Sequence, residues 1–371
     1  MTHDIRMRSH PRAHAQAHAQ AHAQSATETA RAVLATLLPY RRTLEHDPAT
    51  VDDFPYQLRQ LTALIADRRP IRFTLPGFPC KSPNPAKVLG ALPDEGERLA
   101  LRFLDRLCSE VGTLYEPGAH LVICSDGHLF SDLIGVPDPR VDAYNDALRA
   151  MIRAAGLSRL RTFDLRDVYG DLSCEAKRTL VHERYAPPLD ALRAATRTAG
   201  RAGTRAGTQA STRADTRTTQ PPGTAEPADA HGSPNAHEPD PHEPDPQEVL
   251  RLYRGITRFL VEDTTGFAGT RSALQRHCRT RAYAVIQRSR AWGALIAEHH
   301  PDAVRLSIHP QPRGAAKFGI RLLDAPDAWM TPWHSCVLRR PDGSVRLMRR
   351  ADADAAGRLV HRDGRPSHYE S

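Results

Sequence analysis

Between Arg193 and Gln247 the sequence loses all apolar periodicity, and that break constrains how the rest can fold. The stretch contains RAGTRAGT, STRADTRTTQPPG and HEPDPHEPDP. Chain rich in Pro, Gly, Thr and alternating charge cannot bury enough surface to offset its ordering entropy. Residues 193–247 are therefore expected to be a disordered linker or insert, basic in the first half and acidic in the second. Residues 1–26 hold a second low-complexity stretch, in which AHAQ repeats three times, and are also expected to be disordered. His14, His18 and His22 fall at helical spacing that could hold a metal ion, but tandem repeats of this kind more often stay unstructured, and no metal is assigned. Folding is left to 27–192 and 248–371, read as the α/β N-terminal and α+β C-terminal parts of one catalytic domain.

In the first part, Thr27 to Leu38 predicts a helix, with Ala30, Val33, Leu34, Leu37 and Leu38 on one face and Pro39 as its stop. Phe54 to Ala66 predicts another. Strands Ile71–Thr74, Leu121–Cys124 and Arg159–Phe163 then alternate with helices Asp94–Leu114 and Val141–Ala155. Such alternation predicts an α/β fold, Rossmann-like, with a mainly parallel sheet flanked by helices. In the second part, helices Glu248–Val261 and Ser272–Glu298 precede the strand Val304–His309. Shorter strands follow at Gly319–Leu323, Cys336–Leu338 and Val345–Met348. Leu338 and Val345 flank RRPDGS, whose Asp-Gly is a hairpin signal, so an antiparallel tail to the sheet is expected.

Composition narrows the function classes. The net charge is +8, from 51 Lys+Arg against 43 Asp+Glu. The basic residues are densest in the linker and aromatics are only 6%, so nucleic acid is not an expected partner. No apolar run is long enough to span a membrane, and the N-terminus develops no signal-peptide core. The six scattered cysteines form no C-x-x-C pair and are expected to be reduced. A cytoplasmic protein is the expectation. Also missing are G-x-x-x-x-G-K-[ST], G-x-G-x-x-G after a strand, H-E-x-x-H and G-x-S-x-G, so the chemistry must come from less common elements.

Three polar clusters remain, two of them at strand carboxyl ends, where ligands collect in parallel sheets. GFPCKSPNP is held rigid by its prolines and glycine. It presents Lys81, Ser82 and Asn84 either to a carboxylate, phosphate or carbonyl, or simply to solvent. SDGHLFSD places two carboxylates, Asp126 and Asp132, where they could clamp an amine or act as general bases; the bland alternative is a turn followed by a helix cap. In RLSIHP, alternation puts Arg305, Ser307 and His309 on one strand face. That suits an anion site beside an acid/base group, or else a structural histidine. TPWH adds Trp333 and His334, the latter a second group for proton transfer.

Taken together, these clusters resemble the isonitrile (isocyanide) synthase family, which includes the pyoverdine and dityrosine biosynthesis proteins. The resemblance is carried by GFPCKSPNPAKVLG with PDEGE, by YEPGAHLVICSDGHLFSDLIGVPD, by YRGITRFLVED, and by RLSIHP and TPWH. It covers roughly residues 50–350, interrupted by the insert. It implies that the amine of tyrosine or tryptophan condenses with the ketone of ribulose 5-phosphate, whose C2 becomes the isonitrile carbon. No metal or nucleotide cofactor is implied, and an Fe(II)/2-oxoglutarate oxygenase often processes the product of such enzymes. Against that reaction, Lys81, Asp126, Asp132, His309 and His334 are the expected catalytic residues. Ser82, Asn84, Arg305, Ser307 and Trp333 are the expected substrate contacts. Two alternatives stay open: a relative that stops at an N-formyl amino acid, and an inactive paralogue that binds a partner.

Overall fold

The computed structural model describes residues 11–44, 48–200, 246–325 and 330–371, and only the backbone of 11–22. Its elements fall into two compact units, one of Met1–Val181 with Trp292–Ser371 and the other His182–Ala291. Among the described residues no helix is long and apolar enough to cross a membrane.

The first unit is built on a parallel sheet. Its strands are β1 (Ile71–Pro76), β2 (Ala119–Cys124), β3 (Leu160–Phe163), β4 (Val304–Ser307) and β5 (Phe318–Gly319), in the order β3-β2-β1-β4-β5. Phe73 and Leu75 of β1, Leu121 and Ile123 of β2, and Val304 and Leu306 of β4 alternate onto one face. There they join residues of α1 (Pro11–Leu37), α2 (Pro55–Ala66), α3 (Glu95–Leu114) and α5 (Asp138–Ala154) in one core. On the opposite face lies the end of α10 (Arg271–His299), where the Trp292 indole N–H donates to the Cys124 carbonyl at 3.4 Å. α4 (Gly127–Ile134), α6 (Leu165–Tyr169), α7 (Cys174–Tyr185), α8 (189–200) and α9 (Pro246–Asp263) complete the order before α10.

Chain order reverses beside β1. The path from β1 to β2 and β3 runs one way, and β4, reached after the insert, pairs on β1's other edge. This is a topological switch point, where two loops leave the carboxyl ends of neighbouring strands in opposite directions and open a crevice. Here those loops are the one after Pro76 and the one after Ser307.

The antiparallel strands depart from the expected tail. β6 (Cys336–Arg339), β7 (Val345–Met348), β8 (Arg358–Arg362) and β9 (Arg365–Glu370) form a separate sheet, in the order β7-β6-β9-β8. β6 and β7 pair as the Asp-Gly hairpin predicts. Glu95, buried at the start of α3, ties this sheet to the first: Arg339 reaches it at 2.7 Å and Arg362 at 3.5 Å, with Arg98 also paired to it. α11 (Arg350–Ala356) packs against β6.

Other expectations shift at their edges. α1 begins at Pro11, just ahead of the AHAQ repeat, rather than at Thr27, so the repeat expected to be disordered is helical, and Ala26 belongs to the core. His14, His18 and His22 lie outside the residues with described side chains. Helix α8 continues to residue 200, whereas 201–245 of the expected disordered stretch lies outside the described residues. β4 ends at Ser307, so His309 stands beyond the strand.

Gly127 shows how tightly the crevice is assembled. A Cβ there would lie 2.1 Å from the Pro79 carbonyl oxygen and 2.6 Å from Val141 Cγ1. Gly127→Ala should therefore destabilise the fold by about 1–3 kcal/mol through overpacking against backbone. An unchanged thermal midpoint in a melting experiment would contradict this packing.

Candidate active site

At the crevice, the 77–82 loop is clamped from two sides. On one side Ser125 Oγ donates to the Phe78 carbonyl at 3.0 Å. On the other, the Ser82 N–H donates to the Trp333 carbonyl at 2.8 Å, and the Phe78 and Trp333 rings lie 5.0 Å apart. Phe78 adopts φ 55°, a left-handed conformation that costs a non-glycine residue free energy and persists only where the surroundings enforce it. A Cβ on Gly77 would meet Trp333 Cη2 at 3.2 Å and Ile308 Cγ2 at 3.7 Å. The ends of β1, β2 and β4 and the 3-10 turn Pro332–His334 thus converge on one place.

Lys81 is the fastener of that place. It has no solvent-accessible surface; its ammonium group donates to the Pro332 carbonyl at 2.9 Å and forms ion pairs with Asp94 Oδ2 and Glu97 Oε2, each at 2.8 Å. Asp94 caps α3 by accepting from Gly96 N–H at 2.9 Å, and Glu97 accepts the Asp94 N–H at 3.0 Å. The Tyr144 hydroxyl donates to Glu97 Oε1 at 3.1 Å. One lysine therefore joins the 77–82 loop, the α3 capping box and the turn that carries His334. Burial, opposed by Lys81, leaves the Asp94 carboxyl raised to about 7. Lys81 has no surface to offer a substrate, which corrects its expected place among the catalytic residues.

Three polar groups do face open space. Asp126, His309 and His334 keep accessible surface, yet the protein around them desolvates each strongly. Asp126 follows β2, His309 follows β4 and is exposed, and His334 ends the turn packed on Gly77. All three border the crevice at the switch point, which forms a sheltered recess between strand ends, and His309 is close enough to His334 to act on its charge. Burial raises the Asp126 carboxyl to about 7. Its Oδ1 is enclosed and has no hydrogen-bond partner, a cost a fold rarely carries without use. Burial, then Arg42 and Lys317, lowers His309 to about 4. Burial, then Lys87, Lys81 and His309, lowers His334 to about 3. Thr331 Oγ1 lies 3.1 Å from His334 Nδ1. Both imidazoles are neutral at physiological pH, able to donate from one ring nitrogen and accept at the other. In a pH titration followed by NMR they should stay neutral to below pH 5; midpoints near the ordinary 6.5 would contradict a desolvated recess.

The other expected residues play supporting parts. Ser307 Oγ accepts the His309 N–H at 3.1 Å and the Gln311 amide at 3.4 Å, so it shapes the turn that presents His309. Asn84 Oδ1 accepts the Ala86 N–H at 2.9 Å and Ser82 Oγ accepts the Asn84 N–H at 3.1 Å; both shape the loop. Trp333 is 2% exposed and belongs to the core, so it offers almost no face to a substrate. Arg305 points to the α10 side, where it donates to the Gly293 carbonyl at 3.3 Å, and it does not join the His309 group as an anion contact. Asp132 lies a helix turn and more beyond Asp126, on α4, facing Arg178 at 3.9 Å. Sequence reading missed Arg42, Lys87 and Lys317, whose positive charge surrounds the histidines. Nothing in local sequence spacing links residues so far apart. Among the described residues no group of three or more His, Cys, Asp and Glu could hold a metal.

Comparison with known proteins agrees with this architecture. The pyoverdine/dityrosine biosynthesis protein family matches residues 61–220 and 230–360. An L-tyrosine isonitrile synthase of Pseudomonas aeruginosa is 39% identical over 350 residues, 91% of this chain and 92% of that one. An L-tryptophan isonitrile synthase, AmbI2 of Fischerella ambigua, is 35% identical over 87% of this chain and 84% of its own. The crystal structure of the PvcA protein from Pseudomonas aeruginosa superposes with a TM-score of 0.73 at 39% identity, covering 92% of this chain and 99% of that one.

Proposed function

Because this chain belongs to the pyoverdine/dityrosine biosynthesis protein family, we propose that it is an isonitrile synthase acting on the amine of tyrosine or tryptophan. The carbon donor in this reading is ribulose 5-phosphate, the reaction needs no metal or nucleotide cofactor, and it takes place in the cytoplasm as a step of secondary-metabolite biosynthesis. An Fe(II)/2-oxoglutarate oxygenase is a fitting consumer of the product. The observation that carries the reading is the switch-point crevice, bordered by a carboxyl with one unpartnered oxygen and by two imidazoles whose proton affinity is lowered.

Those groups match the chemistry. Imine formation between an amine and a ketone requires loss of the ammonium proton and polarisation of the carbonyl oxygen. Asp126, with its proton affinity raised to about 7, is the base for the ammonium. A neutral imidazole N–H of His309 donates to the ketone oxygen, and a neutral histidine polarises a carbonyl without first having to lose a charge. His334 carries protons during the later fragmentation of the sugar, in which phosphate leaves. Arg42, Lys87 and Lys317 give the recess a positive field suited to a phosphate ester.

Mass spectrometry of reactions with tyrosine or tryptophan plus ribulose 5-phosphate tests this directly. An isonitrile gains one carbon and loses two hydrogens, whereas an N-formyl product gains carbon and oxygen. An isonitrile from either amino acid supports the proposal. A formamide alone, or no product from either, overturns it in favour of the N-formyl-forming or binding-partner readings.

A further inference from the structure

YRGITRFLVED, one of the stretches on which the family resemblance rests, has no part in the recess. It lies on α9, in the second unit. Tyr253, Arg254, Thr257, Arg258 and Val261 recur there at three- and four-residue steps, so they share one helix face. On α10, Arg271, Gln275 and Arg279 recur at four-residue steps. The two faces line one groove of about 750 Å³, a size suited to a small molecule. The buried apolar cluster of this unit, Leu192, Ala195, Val249 and Ile286, stays out of the lining, and Tyr253, packed against it, borders the groove.

Charge in the groove is only partly compensated, by Glu262. Arg258 pairs with Glu262 at 3.3 Å, but Arg254, Arg271 and Arg279 have no carboxylate partner among the described residues. Elsewhere in the same unit arginines do find acids: Arg193 meets Asp190 at 3.4 Å and Arg290 meets Glu248 at 3.3 Å. Thr257 Oγ1 is enclosed and has no hydrogen-bond partner. Crowding like charges along adjacent helix faces is destabilising, and an unused buried hydroxyl adds to that. A bound oxyanion would offset both, because guanidinium groups grip phosphate oxygens in paired hydrogen bonds and a hydroxyl completes the shell.

We infer that this groove is a binding site for a phosphate oxyanion, held by Arg254, Arg271 and Arg279 with Thr257. The inference does not depend on the reaction proposed above. The phosphate can come from the sugar-phosphate substrate or from a separate ligand, and two titrations tell these sources apart.

Pyrophosphate and ribulose 5-phosphate would each be titrated calorimetrically into the full chain at fixed ionic strength. The proteins compared would be the wild type, R254Q/R271Q/R279Q and H309A. The arginines are exposed, so the triple variant should keep its thermal midpoint, and R279Q alone serves if it does not. Weakening of both ligands by roughly tenfold or more in the triple variant assigns the groove to the substrate's phosphate. Weakening of pyrophosphate alone assigns it to a separate ligand. Unchanged affinity for both overturns the inference, as does pyrophosphate binding that is lost in H309A and kept in the arginine variant. Hydrogen exchange gives a second readout: pyrophosphate should protect residues 250–262 and 271–280, and protection confined to 307–310 and 331–334 would contradict the site.

Discussion

Lys81→Met should lower the free energy of unfolding by about 3–5 kcal/mol, the usual cost of removing one partner from a buried ion pair. The substitution keeps the volume of the side chain but leaves Asp94 and Glu97 facing each other without the cation both of them touch. The loss should depend on pH. A carboxyl whose proton affinity is raised in the folded state binds more protons folded than unfolded, so its contribution falls as pH rises between its two pKa values. Asp94 already stands at about 7, and without Lys81 it moves higher. The deficit of the variant should therefore be larger at pH 8 than at pH 5. Urea denaturation at the two pH values measures it, and a variant as stable as wild type at pH 8 would show that Lys81 is not the fastener. Turnover should fall as well, because the Pro332 carbonyl that Lys81 holds begins the turn bearing His334.

Asp126→Asn is expected to behave in the opposite way, losing activity without losing stability. Removal of a general base costs ~10²–10⁴ in rate. In the wild type, turnover should rise with pH through about 7 as the Asp126 carboxyl ionises; in the variant that limb should vanish. The ionised carboxylate is poorly solvated and its Oδ1 has no partner, so a neutral amide should leave the unfolding midpoint at pH 8 unchanged or higher. Wild-type turnover with an unaltered acid limb would remove Asp126 from the mechanism. A large drop in stability would make it a structural residue.

Much of this was legible from local sequence. Period-two apolar runs marked β1, β2, β3 and β4, and the 3.6-residue stripes marked α2, α3 and α5, because those patterns are set by which face each element buries. Asp126 is singled out by its place after an apolar strand, where ligands collect, and His309 by alternation with Arg305 and Ser307 along a strand that in fact ends at Ser307. Lys81 was placed wrongly for a physical reason. A lysine in a turn-rich loop reads as solvated, and only the tertiary approach of Asp94 and Glu97 makes its burial tolerable. Asp94 caps α3 and Glu97 stands in its first turn, where acids suit the helix dipole anyway, so local sequence gives no sign that they partner a distant cation. Trp333 and Arg305 failed similarly: their partners, Phe78 and Gly293, come from other elements. The pairing of β4 with β1 could not be read at all, since strand order across a long insert leaves no mark in spacing. The β8–β9 hairpin did leave one, Asp363-Gly364, both with positive φ, but its flanks are too polar for an apolar pattern to announce strands.

The central claim is that a carbon is transferred from the sugar to the amine, and carbon labelling follows that atom. Ribulose 5-phosphate labelled with ¹³C at C2 would be turned over with whichever aromatic amino acid is accepted, and the product examined by ¹³C NMR and mass spectrometry. The account predicts the label in the isonitrile carbon and nowhere else in the product. An isonitrile carbon without label, or label recovered only in a formyl group, would contradict it.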